Sequence, residues 1–172
     1  MIEVLNNWKK KQTDSLPYMY VLNVSGGGNR SATYTVNVLM RIDSIMQGNL
    51  LQKTFLYSGA SGGMLGATYF RELYRQKMKG KAIDLHNPVY AENISKDLLN
   101  PILSAYVTRD PVSPEQKCSV GPYRFVKDRG YSFEQQLNYN TGNVLDNRLM
   151  DYKDDEFNAN IPMGIFSSTV SQ

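Results

Sequence analysis

What this sequence has little of narrows the field first. It holds a single cysteine, Cys118, so no internal disulfide can form, and nothing in the cysteine count points to a secreted disulfide scaffold. It holds a single histidine, His86, in the polar stretch from Asp84 to Asn87 and far from any predicted strand end. A Ser-His-Asp triad would have to draw on that one residue. No apolar run approaches the roughly 20 residues of a membrane span, and no signal-peptide core follows Lys9–Lys11. The formal charge of +3 is weak, and the basic residues are scattered rather than gathered into the stripe that nucleic-acid binding needs. The expectation is a chain that is cytoplasmic or peripheral to a membrane, with no nucleic-acid partner and an open oligomeric state.

What is present suits a packed globular domain. Hydrophobic residues make up 41% and charged residues 20%, which excludes a disordered or membrane-embedded chain, and 172 residues fit one domain. The run Tyr18–Val24 is nearly continuous in apolar, β-forming residues, and its lack of alternation predicts a parallel strand covered on both faces. A glycine turn follows, then a helix over 31–46 with an apolar face of Val38, Leu39, Ile42, Ile45 and Met46. Thr54–Tyr57 predicts a second strand. A second helix is expected to about Lys79, with Leu65, Tyr69, Phe70 and Leu73 inside and Arg71, Glu72, Arg75 and Lys79 outside. Two strands joined by a helix make a parallel βαβ unit.

Beyond Gly80 the pattern weakens. A helix is expected over 93–107, with Leu98, Leu99, Ile102 and Leu103 inside, then an irregular connection over 108–123. Further helices are expected over 131–140 and 143–150, and a third strand from Met163 to Val170. Asp146, Asp151, Asp154 and Asp155 read as solvated surface charges. The Tyr and Phe residues between Tyr106 and Phe133 read as core, with a lipid-binding strip as the alternative.

Two glycine-rich turns carry chemistry. Gly59-Ala60-Ser61-Gly62-Gly63 is a G-x-S-x-G pattern between a strand and a helix. Small neighbours let the chain bend sharply there, which exposes the serine hydroxyl beside a helix N-terminus. Ser25-Gly26-Gly27-Gly28-Asn29-Arg30 also joins a strand to a helix, and its three glycines expose backbone N–H groups able to hold an oxyanion or a phosphate. A dinucleotide fingerprint fails at its third glycine, where Ser31 stands, and no Walker lysine follows. Because each turn ends a neighbouring strand, the two loops should lie together at the carboxyl edge of the sheet. One supplies donors and the other a nucleophile, the geometry of acyl transfer.

These two motifs together resemble the patatin-like phospholipase superfamily, whose pattern is a triple-glycine loop with x-Arg or x-Lys and then G-x-S-x-G. Asp128-Arg129-Gly130-Tyr131 and Ile161–Phe166 resemble later stretches of that domain, so the resemblance runs from about Tyr18 to Val170. It implies a three-layer α/β/α fold, mainly parallel sheet with flanking helices. It also implies a lipid or phospholipid substrate, and a Ser–Asp dyad with Ser61 as nucleophile and Gly26, Gly27 and Gly28 as oxyanion hole. Arg30 would orient the loop or meet a substrate phosphate. No metal or organic cofactor is implied. Many patatins have Asp where Ser25 stands, although animal cytosolic members carry a similar Ser-Gly-Gly-Gly-x-Arg. The family's dyad aspartate sits in an Asp-Gly-Gly or Asp-Gly-Ala motif, and this chain has no Asp-Gly dipeptide. The expectation is therefore a domain truncated at its C-terminus, with the aspartate beyond Gln172. The rival readings are a pseudo-hydrolase that binds lipid or a partner, and a nucleotide-binding α/β domain.

Overall fold

A computed structural model describes residues 1–109, 111–112 and 116–167. The chain divides into two compact units, one made of Met1–Ser95 and the chain from Val144 onward, the other of Lys96–Asn143. The first unit is α/β. Its elements are α1 (Ile2–Lys10), β1 (Tyr20–Val24), α2 (Gly28–Ile45), α3 (Leu50–Lys53), β2 (Thr54–Ala60), α4 (Ser61–Met78) and α5 (Val89–Ser95), then a 3-10 turn (Leu149–Tyr152), α8 (Lys153–Phe157) and β5 (Met163–Ser167). The second unit supplies α6 (Leu99–Ser104), a π-helical turn (Ala105–Arg109), β3 (Lys117–Val120), β4 (Tyr123–Val126) and α7 (Arg129–Asn140).

The three strands of the first unit pair in parallel in the order β1-β2-β5. The predicted strand–helix–strand–helix run over 18–79 is present. The register sets Val24 opposite Gly59 and Ala60 opposite Ser167, so all three carboxyl ends lie at one edge. The partners step from Tyr20–Thr54 to Val21–Leu56, which leaves Phe55 as a bulge residue. The core gathers Val36, Leu39, Met40, Tyr57, Met64, Tyr69, Phe70 and Leu73 between α2, α4 and the sheet.

Several expectations about burial are overturned. β1 is not covered on both faces. Among the described residues it has a strand neighbour on one side only, and Tyr20, Val21 and Asn23 are exposed while Leu22 and Val24 pack on the core. The buried face of α2 is turned from the predicted one: Ala32, Thr35, Val36, Leu39, Met40 and Asp43 are inside, and Ile42 and Ile45 face out. The inward positions include small and polar residues because α2 packs closely on α4, and an apolar count passes over them. The predicted helix over 93–107 breaks between Ser95 and Leu99, where Asp97 Oδ1 accepts from the Leu99 amide at 2.8 Å and starts α6; Leu98 is buried, but Leu99 and Leu103 are exposed. Tyr106, Tyr123 and Phe125 are exposed rather than core. The stretch over 108–123 is not wholly irregular, since β3 pairs antiparallel with β4; residues 110 and 113–115 lie outside the described residues. Residues 143–148 form no helix, and α8 lies further on. The predicted third strand is present as β5, and its expected end at 168–170 lies outside the described residues.

The largest correction concerns α4. Arg71, Glu72 and Arg75, expected outside, are buried, and only Lys79 is exposed. The Arg71 guanidinium lies between the rings of Tyr57 and Tyr152, 4.9 and 4.5 Å from their centroids. Its Nη1 donates to Glu156 Oε1 and to the Pro162 carbonyl, the latter at 2.9 Å. Glu156 Oε1 also accepts from the Gly164 amide at 3.3 Å, so one carboxylate joins α4 to the start of β5. Arg75 binds Asp155 Oδ2 at 2.7 Å, which also places Asp155 among the partnered residues rather than the solvated ones. Isolated buried charges are expensive, and a pair of this kind is tolerated only because each charge meets several partners. A side chain on Gly164 would strike Tyr57, since a Cβ there would lie 2.8 Å from its hydroxyl. Burial also pushes the Tyr57 and Tyr152 hydroxyls up, keeping both neutral beside Arg71.

Burial alone would raise the Asp155 carboxyl, but hydrogen bonds from Arg75, Lys79 and Asn160 outweigh it and bring its pKa down from 3.8 to about 2. A depressed carboxylate contributes stability above its unfolded pKa and loses it as pH falls through the folded value. Asp155→Asn is therefore expected to destabilise the protein by about 1 kcal/mol at neutral pH, after allowance for partial exposure. Thermal melts across pH will show the gap between variant and parent closing from about pH 4 toward about pH 2, the window set by the two values.

Candidate active site

The carboxyl ends of β1 and β2 lead straight into the two motif turns. β2 stays extended through Ala60, at φ −138° and ψ 153°, and α4 begins at the next residue. Ser61 itself has φ 52°, in the left-handed region that residues with a Cβ avoid. That conformation costs on the order of 1–2 kcal/mol for a non-glycine residue. It survives because the strand on one side and the helix on the other fix the chain. The result is an exposed serine at a sharp elbow, directly above buried Gly62 and Gly63.

The glycines after Ser61 are required by what lies beneath them. A Cβ on Gly62 would overlap the Gly28 carbonyl oxygen, one on Gly63 the Ser25 carbonyl, and one on Gly66 the Ala32 carbonyl. α4 therefore rests backbone to backbone on the glycine loop and on the first turns of α2. Gly27 caps α2 at φ 144°, and Gly28 follows at φ 62°. The loop is tied by Ser31, whose Oγ donates to the Ser25 carbonyl at 2.7 Å.

Ser61 and the glycine loop are neighbours. A Cβ built on Gly26 would lie 3.3 Å from Ser61 Cβ and 3.9 Å from Ser61 Oγ. The Gly26 nitrogen, one bond angle away from that position, is then within about 6.5 Å of the hydroxyl. That separation leaves room for one oxygen atom held by the loop amides beside a carbon attached to Ser61. The N-termini of α2 and α4 both open here, and neither has an acidic residue in its first turn, so the local field favours a negative charge. The two helices have 18 residues each, long enough for that field to be developed.

Arg30 is placed in the first turn of α2 and is exposed. It lines an open cleft of about 590 Å³ with Asn29, Thr33, Tyr34, Asn37 and Ser95. A second, narrower groove of about 320 Å³ runs between β1 and α2, walled by Leu22, Val24, Val38, Leu39 and Ile42 and reaching Ser25 and Ser31 at one end. Thus Ser61, Gly26, Gly27, Gly28 and Arg30 all fall at one edge of the sheet.

His86 does not belong to this site. Its Nε2 lies 2.9 Å from Asp43 Oδ2, and Asp43 is buried near the far end of α2. Fifteen residues of helix separate Asp43 from Gly28, which is about 22 Å along the axis. The other Asp43 oxygen accepts from the Leu50 amide at 3.1 Å, so the pair fastens the loop after α4 to the end of α2. Sequence reasoning missed Asp43, because an acidic residue on the inward helix face carries no signal until its partners are known. Among the described residues no group of three or more His, Cys, Asp or Glu side chains is arranged to hold a metal ion, and no helix is long and apolar enough to cross a membrane.

Three substitutions separate strain from packing at the elbow. Ser61→Gly relieves the left-handed conformation and is expected to raise Tm by about 2–4 °C, while Ser61→Ala, which keeps a Cβ, leaves it unchanged. Gly62→Ala drives a methyl into the Gly28 carbonyl and is expected to destabilise by about 3 kcal/mol. Differential scanning calorimetry of the three variants checks the ranking; a Ser61→Gly protein melting below the parent would show that the elbow stores no strain.

Comparison of the chain with family models, with curated proteins and with solved structures finds no match in any of the three, so the reading of the site rests on its own residues.

Proposed function

We propose that the protein is a serine carboxylic-ester hydrolase acting on lipid acyl esters, with the patatin-like three-layer α/β/α architecture. The observation that carries this reading is the exposed Ser61 held at φ 52° on a strand-to-helix elbow, beside a loop of three consecutive glycines. A serine needed only for packing gains nothing from a strained backbone, whereas a nucleophile gains exposure and a fixed direction.

Ser61 Oγ attacks the ester carbonyl and forms an acyl-enzyme while the alcohol leaves. The amides of Gly27 and Gly28, with Gly26, hold the oxyanion of the tetrahedral intermediate, and each such donor is worth roughly 100-fold or more in rate. The resemblance implies an aspartate as the base that takes the serine proton, and water then releases the acid. Arg30 either steadies the loop or meets a phosphate in the cleft that it lines. The apolar groove that starts at Ser25 suits the chain of a fatty acyl group and supports a lipid over a small polar ester. No metal or organic cofactor takes part in this scheme.

One observation favours a second reading. Among the described residues no side chain hydrogen-bonds to Ser61 Oγ, as would also hold in a pseudo-hydrolase that binds acyl chains without cleaving them. A fluorophosphonate probe on the full-length protein discriminates between the two. Covalent labelling at Ser61, lost in Ser61→Ala together with at least about a thousandfold of esterase activity, is the expected result. A parent protein that stays unlabelled, or a variant that keeps its turnover, refutes the hydrolase.

A further inference from the structure

Among the described residues the hairpin of the second unit is the one antiparallel pair of strands. β3 and β4 pair only with each other, and neither packs substantially on another element of the described residues. Every residue of β4 is exposed, including Tyr123, Phe125 and Val126. A lone two-stranded hairpin is marginal in water, and one with two exposed aromatic rings is more so. The register sorts its residues by face. Phe125 stands opposite Cys118, so Tyr123 and Phe125 share one face, with ring centroids 6.4 Å apart. Arg124 stands opposite Ser119 and Val126 opposite Lys117, so Arg124 and Lys117 share the other. Among the described residues neither of these two cations has an ion-pair partner. Lys127, just past β4, stacks over Tyr131 at 5.6 Å.

An aromatic face backed by a cationic face is the pattern of an element lying in a membrane interface. Rings sink toward the acyl chains, and long basic side chains reach back to phosphates and water. Among the described residues no further strand pairs with the hairpin's two outer edges, whose backbone groups hydrocarbon would leave unsatisfied. The element must therefore stop at headgroup depth, where water and lipid oxygens serve those groups. A protein partner would cover the rings equally well but would have to bring carboxylates placed to meet the two cations, whereas an anionic headgroup layer offers phosphates all along its surface. We infer that the β3–β4 hairpin is an interfacial anchor for an anionic lipid surface, with Tyr123 and Phe125 as its wedge and Lys117 and Arg124 as its headgroup contacts. This surface acts independently of Ser61.

Flotation of the full-length protein with vesicles of phosphatidylcholine, with and without phosphatidylglycerol, tests it. Partition should favour the anionic vesicles by roughly fivefold per cation, a margin that added salt removes. Tyr123→Ser with Phe125→Ser should weaken binding to both vesicle types by at least about tenfold, whereas Lys117→Gln with Arg124→Gln should abolish only the anionic preference. In Tyr123→Trp the new indole should shift to the blue and be quenched by brominated acyl chains, while buried Trp8 stays silent. Hydrolysis of a soluble short-chain ester should be unchanged in all these variants. Its absence from the parent protein would sink the hydrolase reading and leave the anchor standing. Failure of the parent to bind vesicles overturns the anchor, as does binding that survives loss of both rings or an added indole that lipid leaves unquenched. A lipid-free dimer that the double serine variant splits would assign the face to a second copy of the chain instead.

Discussion

The candidate site depends on one contact between main chains, where the start of α4 lies so close to the glycine loop that Gly62 has no room for a Cβ against the Gly28 carbonyl. Side chains adjust to one another, but two backbones in contact adjust hardly at all, because packed interiors yield little. The contact therefore fixes the distance between the loop amides and the residue before Gly62, which is Ser61. It also explains why small residues recur at Gly63, Gly66 and Ala67, all buried, on the same stretch of α4. Remove that closeness and the serine and the glycines become two unrelated turns.

A second constraint works from the opposite side of α4. Arg71 and Arg75 carry positive charge into the interior, and Glu72, Asp155, Glu156 and two tyrosine rings receive it. Among the described residues Arg71 Nε and Nη2 make no hydrogen bond, and the ring faces above and below stand in for those partners. The arrangement is directional in a way that an apolar patch is not. Where β5 takes its register beside β2, Glu156 and the Pro162 carbonyl meet the same guanidinium.

The local part of this design was legible in the sequence and the distant part was not. Gly26–Gly28 and Gly59–Gly63 announced themselves because tight turns and close approaches demand glycine at fixed spacing, and the strands before them are short apolar runs. Element types followed over residues 18–79 for the same reason. Burial was misread wherever it is decided by a partner far along the chain. Arg71 and Glu72 look like a solvent face until the acidic run from Asp151 is known to fold back on them, and Asp43 looks like a break in an apolar stripe until His86 and the Leu50 amide arrive. Tyr20 and Val21 look like core in any count of apolar residues, yet among the described residues β1 has a strand neighbour on one side only. The alternation of Tyr123, Arg124 and Phe125 was a strand signal hidden among prolines and a glycine.

The long reach of Arg71 bears on how the chain is made. Its carboxylate partner lies 85 residues downstream and its carbonyl partner 91. At ribosomal speeds of about 5–20 residues per second, the gap amounts to on the order of ten seconds. During that interval α4 has left the exit tunnel with a guanidinium that nothing yet neutralises, and desolvating it alone would be prohibitive. The nascent polypeptide must keep this flank of α4 hydrated and the place of β5 vacant. Closure of the sheet around this guanidinium thus waits on the synthesis of Pro162.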